Sequence, residues 1–447
     1  MVVTDARESS AIVTAPLRGT ILRIALPAVA ASLLMTLFAS VDAFWVGKRL
    51  GASALAAVST SLFYIWMAVA LAEMVGVGLT SVAARRHGEG RSDEARIVAG
   101  DSIIFALGLG TLVSVLGMLT LPSLFVVLGT NAEVSALGMR YLGTYFLGLP
   151  LIYGFFAVDA TFRASGDTRT PLLLLVTSVA VTLVLDPVLI LGLGGFPKLG
   201  IAGAAIATLT TRGVVFVGGC AIAIRRGLLR IGRVSGESIV AVCRVGLPTA
   251  VTGIVFSIIY IGIARIATPF GTPALAALGI GHRVESWLFM VGVGFGAATA
   301  AIVGQNLGAG RPDRAERAGW MAVGYCSVLG FVSFASQVIA PRWLAGIFST
   351  DPEVIRVASS YLRIASVSQL AISMEMVLDG ALGGAGDTVP PMLASTTLSV
   401  IRIPLAAWAA SRWGTIGIWW VISVTAVGRA VALGLLWRSR RWLRKSV

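Results

Sequence analysis

The sequence predicts an all-α membrane protein with twelve transmembrane helices in two six-helix lobes, which a pseudo-two-fold axis along the membrane normal relates. Three observations predict this fold: an apolar composition, twelve apolar runs, and a repeat of the first half of the chain in the second. Of the 447 residues, 57% are hydrophobic and 13% are charged, whereas a soluble domain carries about 25% charged residues. This composition excludes a soluble globular protein.

Each of the twelve apolar runs is bounded by Gly, Pro or charged residues and is long enough to cross a bilayer as a helix of ~20 residues. The chain has 52 glycines, which suit close helix packing in lipid. The first run follows a polar stretch and continues to Val46, so we interpret it as a retained span rather than a signal peptide. The runs cover residues 21–46, 54–84, 98–121, 141–162, 171–193, 201–224, 240–268, 274–303, 319–340, 354–382, 391–410 and 416–436.

The basic residues are distributed unequally between the two sides of the membrane. Lys and Arg are concentrated in the tails and even-numbered loops and are few in the odd-numbered loops. Because positively charged loops remain in the cytoplasm, we predict that both termini are cytoplasmic, in the plasma membrane of a bacterium or archaeon. This distribution explains the net charge of +14 without a nucleic-acid partner. The three cysteines lie in apolar runs and predict neither disulfides nor a metal site.

The second half of the chain repeats the first at an offset of 220 residues. Six crossings per half is an even number, so both halves have the same orientation. Matching pairs include Gly88 with Gly308, Arg91 with Arg311, Thr130 with Thr350 and Asp167 with Asp387. We expect a cytoplasmic N-terminal tail, an N-lobe, a cytoplasmic linker, a C-lobe and a basic cytoplasmic tail, at residues 1–20, 21–224, 225–239, 240–437 and 438–447.

Several short motifs occur along the chain in a fixed order and partly in duplicate. They are Leu26-Pro27, Val41-Asp42, Val46-Gly47, the loop 88–95, Gly166-Asp167-Thr168, Leu185-Asp186-Pro187 and Gly386-Asp387-Thr388. Together they resemble the multidrug and toxic compound extrusion (MATE) family, from about residue 18 to 437. The resemblance implies a two-lobed secondary transporter that alternates between inward-open and outward-open states. It further implies export of cationic or amphipathic compounds in exchange for protons or sodium ions.

Two acids within the apolar runs are candidates for ion coupling, because a charge in hydrocarbon is expensive and marks functional sites. Asp42 lies fifteen residues after Pro27, about 22 Å along an outward-running helix, and Asp186 lies equally far along the fifth run. Thr182 precedes Asp186 by one turn, and Thr208 on the sixth run is expected at a comparable level. The sequence therefore predicts two carboxylates and two hydroxyls in the outer half of the N-lobe.

Pro187 supports an ion site next to Asp186, because proline donates no hydrogen bond and leaves the carbonyl of Leu183 free. Two such acids can share a proton or hold a sodium ion, and no other metal is expected. The resemblance implies the same role, since acids in the first and fifth helices of MATE proteins are implicated in ion coupling. The family often has Asn where this chain has Thr182. The alternative is that either acid pairs with a nearby base such as Arg212.

Four further residues are candidates for the substrate cavity. Glu285 and Arg402 each lie about eleven residues into an apolar run, near the midplane. An ion pair between them is slightly favoured, and the alternative is that Glu285 binds substrate or a proton. Glu375 could lie at the inner mouth of the cavity. Its repeat mate Phe155 could stack on cations, although aromatic rings at helical spacing more often face lipid or the core.

We expect a transporter and not an enzyme. The chain has no GxxxxGK[ST] phosphate loop, HExxH or GxSxG pattern, and its two histidines are too far apart for a metal cluster. The expected partners are the coupling ion, small-molecule substrates and membrane lipids, with no cofactor and a monomeric assembly. A flippase for a lipid-linked oligosaccharide or another polar lipid is the alternative, and it would need a strongly basic cavity. A membrane-embedded enzyme would need paired catalytic groups at one interface.

Overall fold

The fold is taken from a computed structural model, which describes residues 12–50, 52–128, 132–232 and 234–445, except for the side chains of residues 38–44, 47–49, 52, 55, 63, 127 and 128. Within these residues every regular element is helical. The helices of six residues or more are α1 (Leu17–Leu50), α2 (Ala52–Gly88), α3 (Ser92–Leu128), α4 (Ala132–Leu147), α5 (Leu149–Ser165), α6 (Arg169–Leu191), α7 (Ile201–Arg225), α8 (Gly236–Ala267), α9 (Thr272–Gly308), α10 (Pro312–Ile339), α11 (Pro341–Gly346), α12 (Pro352–Ala365), α13 (Gln369–Gly384) and α14 (Val389–Arg438).

These helices form the twelve predicted spans. Among the described residues, nine helices are long and apolar enough to cross a membrane. One of them, α14, contains the non-helical Gly414 (φ 61°, ψ −144°) and so comprises two spans. The pair α4 and α5, bent by 51°, forms one more span, and α12 with α13, which the 3₁₀ turn Ser366–Ser368 joins, begins at the repeat-related positions of that pair. The prediction of twelve transmembrane helices is confirmed.

The fourth span differs from its prediction as a single run over residues 141–162. The structure breaks it at Gly148, and α5 begins at Leu149 with Pro150 in its first turn. Proline has no backbone N–H, so it interrupts a continuous helix but is tolerated where a new helix starts. The break therefore has a local cause in the sequence.

The 220-residue repeat is also present in the structure. Helices α2 and α9 both have 37 residues, and their limits differ by that offset. Helices α3 and α10 also begin at positions that differ by 220 residues, as do α6 and α14. The two halves of the chain are therefore two copies of one six-span architecture.

The first helix of each lobe packs against both lobes. The first half of α1 lies in a core that consists mainly of C-lobe residues, and its next turns pack on the N-lobe. Helix α8 shows the reciprocal arrangement, so each lobe contributes a half-helix to the other. In α1 these residues are Ile21, Ile24, Ala25 and Val29, then Ala31, Leu34 and Met35; in α8 they are Val242 and Ala250, then Ile259, Ile263 and Ala267.

Glycines permit the close contact between α8 and α2. A Cβ atom on Gly246 would lie 1.9 Å from the carbonyl oxygen of Met74, and one on Gly78 would lie 2.1 Å from the carbonyl oxygen of Val242. No side chain fits at either distance, so the two backbones are in direct contact.

The two lobes also meet at the end of the bundle that carries the loops 89–91, 166–168, 226–235, 309–311 and 385–388, which we call the basic end. Here Gln305 Nε2 of α9 donates to the carbonyl oxygen of Ala164 at 2.8 Å, and Ser81 Oγ of α2 donates to that of Gly384 at 3.3 Å. A Cβ atom on Gly88 would lie 2.1 Å from the carbonyl oxygen of Gln305. The lobes are therefore in close contact at the basic end.

Replacing Gly246 by alanine should separate α8 from α2. The added Cβ atom meets backbone rather than a movable side chain, so we expect a destabilisation of about 1–3 kcal/mol. Gly218→Ala on α7 is the matched control, because a Cβ atom there meets nothing within 4 Å and alanine favours helix. The midpoint of thermal unfolding in detergent is measured for both variants. Equal midpoints would contradict the close contact.

Candidate functional site

A Gly-Asp-Thr turn positions the helix that carries Asp186. Gly166 ends α5 with φ 92°, a conformation that favours glycine, and Asp167 Oδ1 accepts from the backbone N–H groups of Arg169 and Thr170 at 3.0 Å. Thr168 Oγ1 donates to the carbonyl oxygen of Ile24 at 2.8 Å, which ties the start of α6 to α1. The second copy of this turn repeats the last contact, from Thr388 to Val245 at 2.7 Å.

Asp186 is completely buried in α6, with an exposed fraction of 0%. It is followed by Pro187 inside the same helix. Because a carboxylate loses its hydration on burial, its environment must supply a proton, a positive charge or hydrogen-bond donors. A buried carboxylate of this kind is a candidate for ion coupling.

Thr182 lies one turn before Asp186 on α6, and its hydroxyl contacts a threonine of α7. Thr182 is 1% exposed, and its Oγ1 lies 3.0 Å from Oγ1 of Thr211 on α7. Thr208 is also buried, but it contributes its backbone carbonyl oxygen, which accepts from Thr211 at 3.0 Å. Thr211 was missed by the sequence analysis, although its spacing of three residues from Thr208 places both on one helix face.

Asp42 falls within the range of α1, but its side chain lies outside the described residues. The predicted convergence of Asp42 and Asp186 therefore stays a prediction.

Arg212 of α7 contacts an aromatic ring and a thioether inside the N-lobe. Its guanidinium carbon lies 4.4 Å from the centroid of the Phe155 ring, and its Nη2 lies 3.0 Å from Sδ of Met35. Both Arg212 and Phe155 are less than 9% exposed. The Phe155 ring thus stacks with a cation of the chain itself, and its role in the substrate cavity stays a prediction.

Glu285 accepts hydrogen bonds from both halves of the tenth span. Tyr361 Oη of α12 donates to its Oε2 at 3.1 Å, and Gln369 Nε2 of α13 donates to its Oε1 at 3.3 Å. Arg402 instead donates from Nε to Thr425 Oγ1 at 2.7 Å. Among the described side chains, the slightly favoured ion pair between Glu285 and Arg402 is therefore not formed, because neutral donors solvate the carboxylate.

Glu375 is 4% exposed, and its Oε1 lies 3.3 Å from Nε of Arg429. Arg429 also donates to Ser399 Oγ at 3.3 Å, which connects the last two spans. Arg429 was missed by the sequence analysis, although an arginine inside the apolar run 416–436 was the available signal. Glu285, Glu375 and Arg402 thus lie in the C-lobe, whereas Phe155 lies in the N-lobe.

Three acids within the spans are each present in one lobe only. The residues at the repeat-related positions of Asp186, Glu285 and Glu375 are Ala406, Ile65 and Phe155. The shared architecture therefore does not require these charges. Among the described residues, no three His, Cys, Asp or Glu side chains could hold a metal ion together. The arrangement offers a buried carboxylate in the N-lobe and polar groups in the C-lobe as candidate binding groups.

Comparison with known proteins identifies the family of the chain. The MatE family model matches residues 27–188 and 248–408, one segment in each lobe. The chain belongs to the MATE family. MATE proteins are transporters and not enzymes, so the chain is a membrane transporter.

Two relatives match almost the full length of the chain. The FAD transporter of Shewanella oneidensis is 26% identical over 432 residues, which are 95% of each chain. A probable multidrug resistance protein NorM of Thermotoga maritima is 27% identical over 449 residues, which are 96% of this chain and 94% of the relative. The two names differ in the cargo that they state.

Solved structures match the fold closely. A MOP superfamily transporter from Pyrococcus furiosus superimposes with a TM-score of 0.90 at 24% identity, over 98% of both chains. An outward-facing multidrug resistance MATE family transporter superimposes with a TM-score of 0.87 at 24% identity, over 96% of this chain and 97% of the other. At this identity the likeness establishes the two-lobed fold.

Replacing Arg429 by glutamine should strongly destabilise the C-lobe. Arg429→Gln leaves the buried Glu375 carboxylate without its counter-charge, which typically costs about 3–5 kcal/mol. The double variant Arg429→Gln with Glu375→Gln should recover most of this loss. The free energy of unfolding is measured by chemical denaturation in detergent micelles for the two single variants and the double variant. Losses that add up in the double variant would contradict a coupled ion pair.

Proposed function

We propose that this transporter is a secondary active multidrug efflux antiporter, which exports cationic or amphipathic small molecules in exchange for protons or sodium ions. Asp186 and Asp42 bind the coupling ion, and the hydroxyls of Thr182 and Thr211 line the site, with Thr208 next to them. No cofactor takes part. The observation that carries the proposal is the complete burial of the Asp186 carboxylate in a lobe whose repeat partner has alanine at that position.

Exchange follows if the ion and the substrate favour different arrangements of the lobes. A ligand shifts an equilibrium between conformations by its differential affinity for them. A proton or sodium ion on Asp186 removes the cost of its buried charge, and it therefore stabilises the arrangement in which this site is closed. One charge that crosses a potential of about 100 mV yields about 2.3 kcal/mol, which supports a substrate gradient of about 50-fold.

The substrate cavity lies between the lobes, and Glu285, Glu375, Arg402 and Phe155 contribute to its walls. Glu285 is the residue with which a cationic substrate exchanges hydrogen bonds, because its present donors are the neutral Tyr361 and Gln369. A positively charged group would form a stronger hydrogen bond with this carboxylate than these neutral donors do. This preference favours organic cations as cargo.

The basic end faces the cytoplasm of a bacterium or archaeon, and the protein works as a monomer in the plasma membrane. The support is the excess of Lys and Arg in the loops of this end. With the lobes in contact at the basic end, the structure then corresponds to a state that is closed to the cytoplasm.

An anionic dinucleotide is a second candidate cargo. One observation favours it: Arg402 is 6% exposed, and among the described atoms its Nη2 has no hydrogen-bond partner. A buried guanidinium with a free donor can bind a phosphate oxygen. The relative from Shewanella oneidensis is named an FAD transporter. Counterflow of FAD and of a cationic dye in the same proteoliposomes discriminates between the two cargoes, and transport of neither would favour the polar-lipid flippase.

Neutralising Asp186 should abolish coupled efflux. Asp186→Asn keeps the size of the side chain but removes its titration, so we expect the efflux rate of a cationic dye to fall at least tenfold. Asp42→Asn should have the same effect. The control is Asp93→Asn, an exposed residue that pairs with Arg96 and should leave the rate unchanged. Undiminished efflux by the double variant Asp42→Asn with Asp186→Asn would refute the proposed ion site.

Imposed ion gradients should drive transport. In proteoliposomes loaded with dye, an inward gradient of either protons or sodium ions should accelerate dye export by the native protein and not by Asp186→Asn. Dye movement is measured by fluorescence under each gradient separately. Equal rates under both gradients and under none would exclude antiport.

A further inference from the structure

The chain that precedes α1 lies across the contact between the lobes. We call residues 12–15 the N-terminal strap. Ile12 is 1% exposed, and its Cδ1 lies so close to the Gly166 turn of the N-lobe that a Cβ atom on that glycine would be 2.1 Å away. The strap therefore contacts the N-lobe through an apolar side chain and a glycine turn that has no room for a larger residue.

The C-lobe holds the same strap through its backbone. Arg311 Nη1 donates to the carbonyl oxygen of Val13 at 2.9 Å, and Arg314 Nη2 donates to that of Ile12 at 3.2 Å. Arg314 Nη2 also donates to the carbonyl oxygen of Ala15. Because the donors carry charge, these hydrogen bonds are stronger than those between neutral groups.

The strap covers a hydrogen bond that joins the two lobes. Gln305 of α9 is 0% exposed and donates to the carbonyl oxygen of Ala164 in the N-lobe. A Cβ atom on Gly166 would meet both Ile12 and Gln305 Nε2, the latter at 3.8 Å, so the three residues are neighbours. A hydrogen bond that is shielded from water is stronger than an exposed one. Ile12 thus protects the contact between the lobes from hydration.

We propose that the N-terminal strap is a latch that holds the two lobes together at the basic end and thereby sets the balance between the two access states of the transporter. The strap contacts both lobes only while the Gly166 turn lies beside Gln305 and the start of α10. When the basic end opens, this turn moves away from the C-lobe, and the strap must release one partner. The latch is independent of which ion or substrate is transported.

The linker between the lobes occupies the pseudo-symmetric position. It precedes α8, the first helix of the C-lobe, and lies on the N-lobe, where the backbone N–H of Arg230 donates to the carbonyl oxygen of Arg96 at 3.1 Å. The backbone N–H of Ser235 donates to Asp101 Oδ2 at 3.2 Å. The linker is continuous with helices at both of its ends, whereas the strap can be shortened from the N-terminus. The N-terminal strap is therefore the half of this arrangement that can be removed experimentally.

Distances between spin labels report whether the basic end is closed. Arg225→Cys at the end of α7 and Arg438→Cys at the end of α14 place labels on exposed residues in opposite lobes. The background carries Cys220→Ala, Cys243→Ala and Cys326→Ala, so that no native thiol reacts. Double electron–electron resonance in lipid nanodiscs then gives the populations of short and long separations.

Two matched pairs of variants test the latch. Deletion of residues 2–15 removes the strap, and deletion of residues 2–11 is its control. Arg314→Gln removes the hydrogen bonds to the strap, and Arg317→Gln, on the same helix and exposed, is its control. We expect each test variant to raise the ratio of long to short separations at least about fivefold over its control, the lower range of typical coupling between sites.

The latch is refuted if the deletion of residues 2–15 and Arg314→Gln both leave the distance distribution as in their controls. It is equally refuted if Arg317→Gln raises the ratio as much as Arg314→Gln, because the effect would then come from the lost charge. If the longer deletion prevents folding, as judged by size-exclusion chromatography, the two arginine variants decide the question. Loss of dye transport with an unchanged distance distribution would implicate the ion site and not the latch.

Discussion

The cost of placing a charge in a medium without water determines how this transporter is built. Three ionisable groups in the described part of the spans are compensated in different ways. Glu375 has a counter-charge in Arg429, Glu285 has two neutral donors, and Arg212 has an aromatic ring and a thioether. A charge that is compensated by another fixed charge is held in one state. A charge that is compensated by neutral groups remains able to change its proton or its ligand.

The internal repeat shows which features both lobes share and which residues occur in one lobe only. Helices α2 and α9 have the same length, and both lobes have the same Gly-Asp-Thr turn with the same threonine contact to the first helix of the lobe. These shared features belong to the common architecture. Asp186, Glu285 and Glu375 have no acid at their repeat-related positions, so the common architecture does not require them. In the N-lobe Asp186 lies beside hydroxyls, whereas the C-lobe combines acids with arginines, and this difference suits a division between ion binding and substrate binding.

The fold was largely predictable because its signals are local and strong. Apolar runs, the repeat and the charge of the loops each depend on composition over many residues, and they predicted twelve spans in two lobes. The site was less predictable, because its contacts depend on how side chains are oriented across helices. Depth along a helix placed Glu285 and Arg402 at one level, but it could not reveal that Tyr361 and Gln369 lie closer to Glu285. Thr211 and Arg429 were both visible in the sequence as polar residues in apolar runs. Such a residue becomes a candidate for the site only when its contacts with other helices are known.

The exchange of half-helices between the lobes constrains how the molecule can move. The first half of α1 is part of the C-lobe core, and the following turns pack on the N-lobe near Val179 of α6, the helix that carries Asp186. Helix α8 makes the reciprocal connection. If the lobes separate at the basic end, each of these helices must either bend between its two halves or leave one of the two cores. Packed cores resist continuous deformation, so such a rearrangement passes between discrete states. Because α1 contacts both the C-lobe core and the helix of Asp186, it connects the two places, and a rearrangement of α1 affects both.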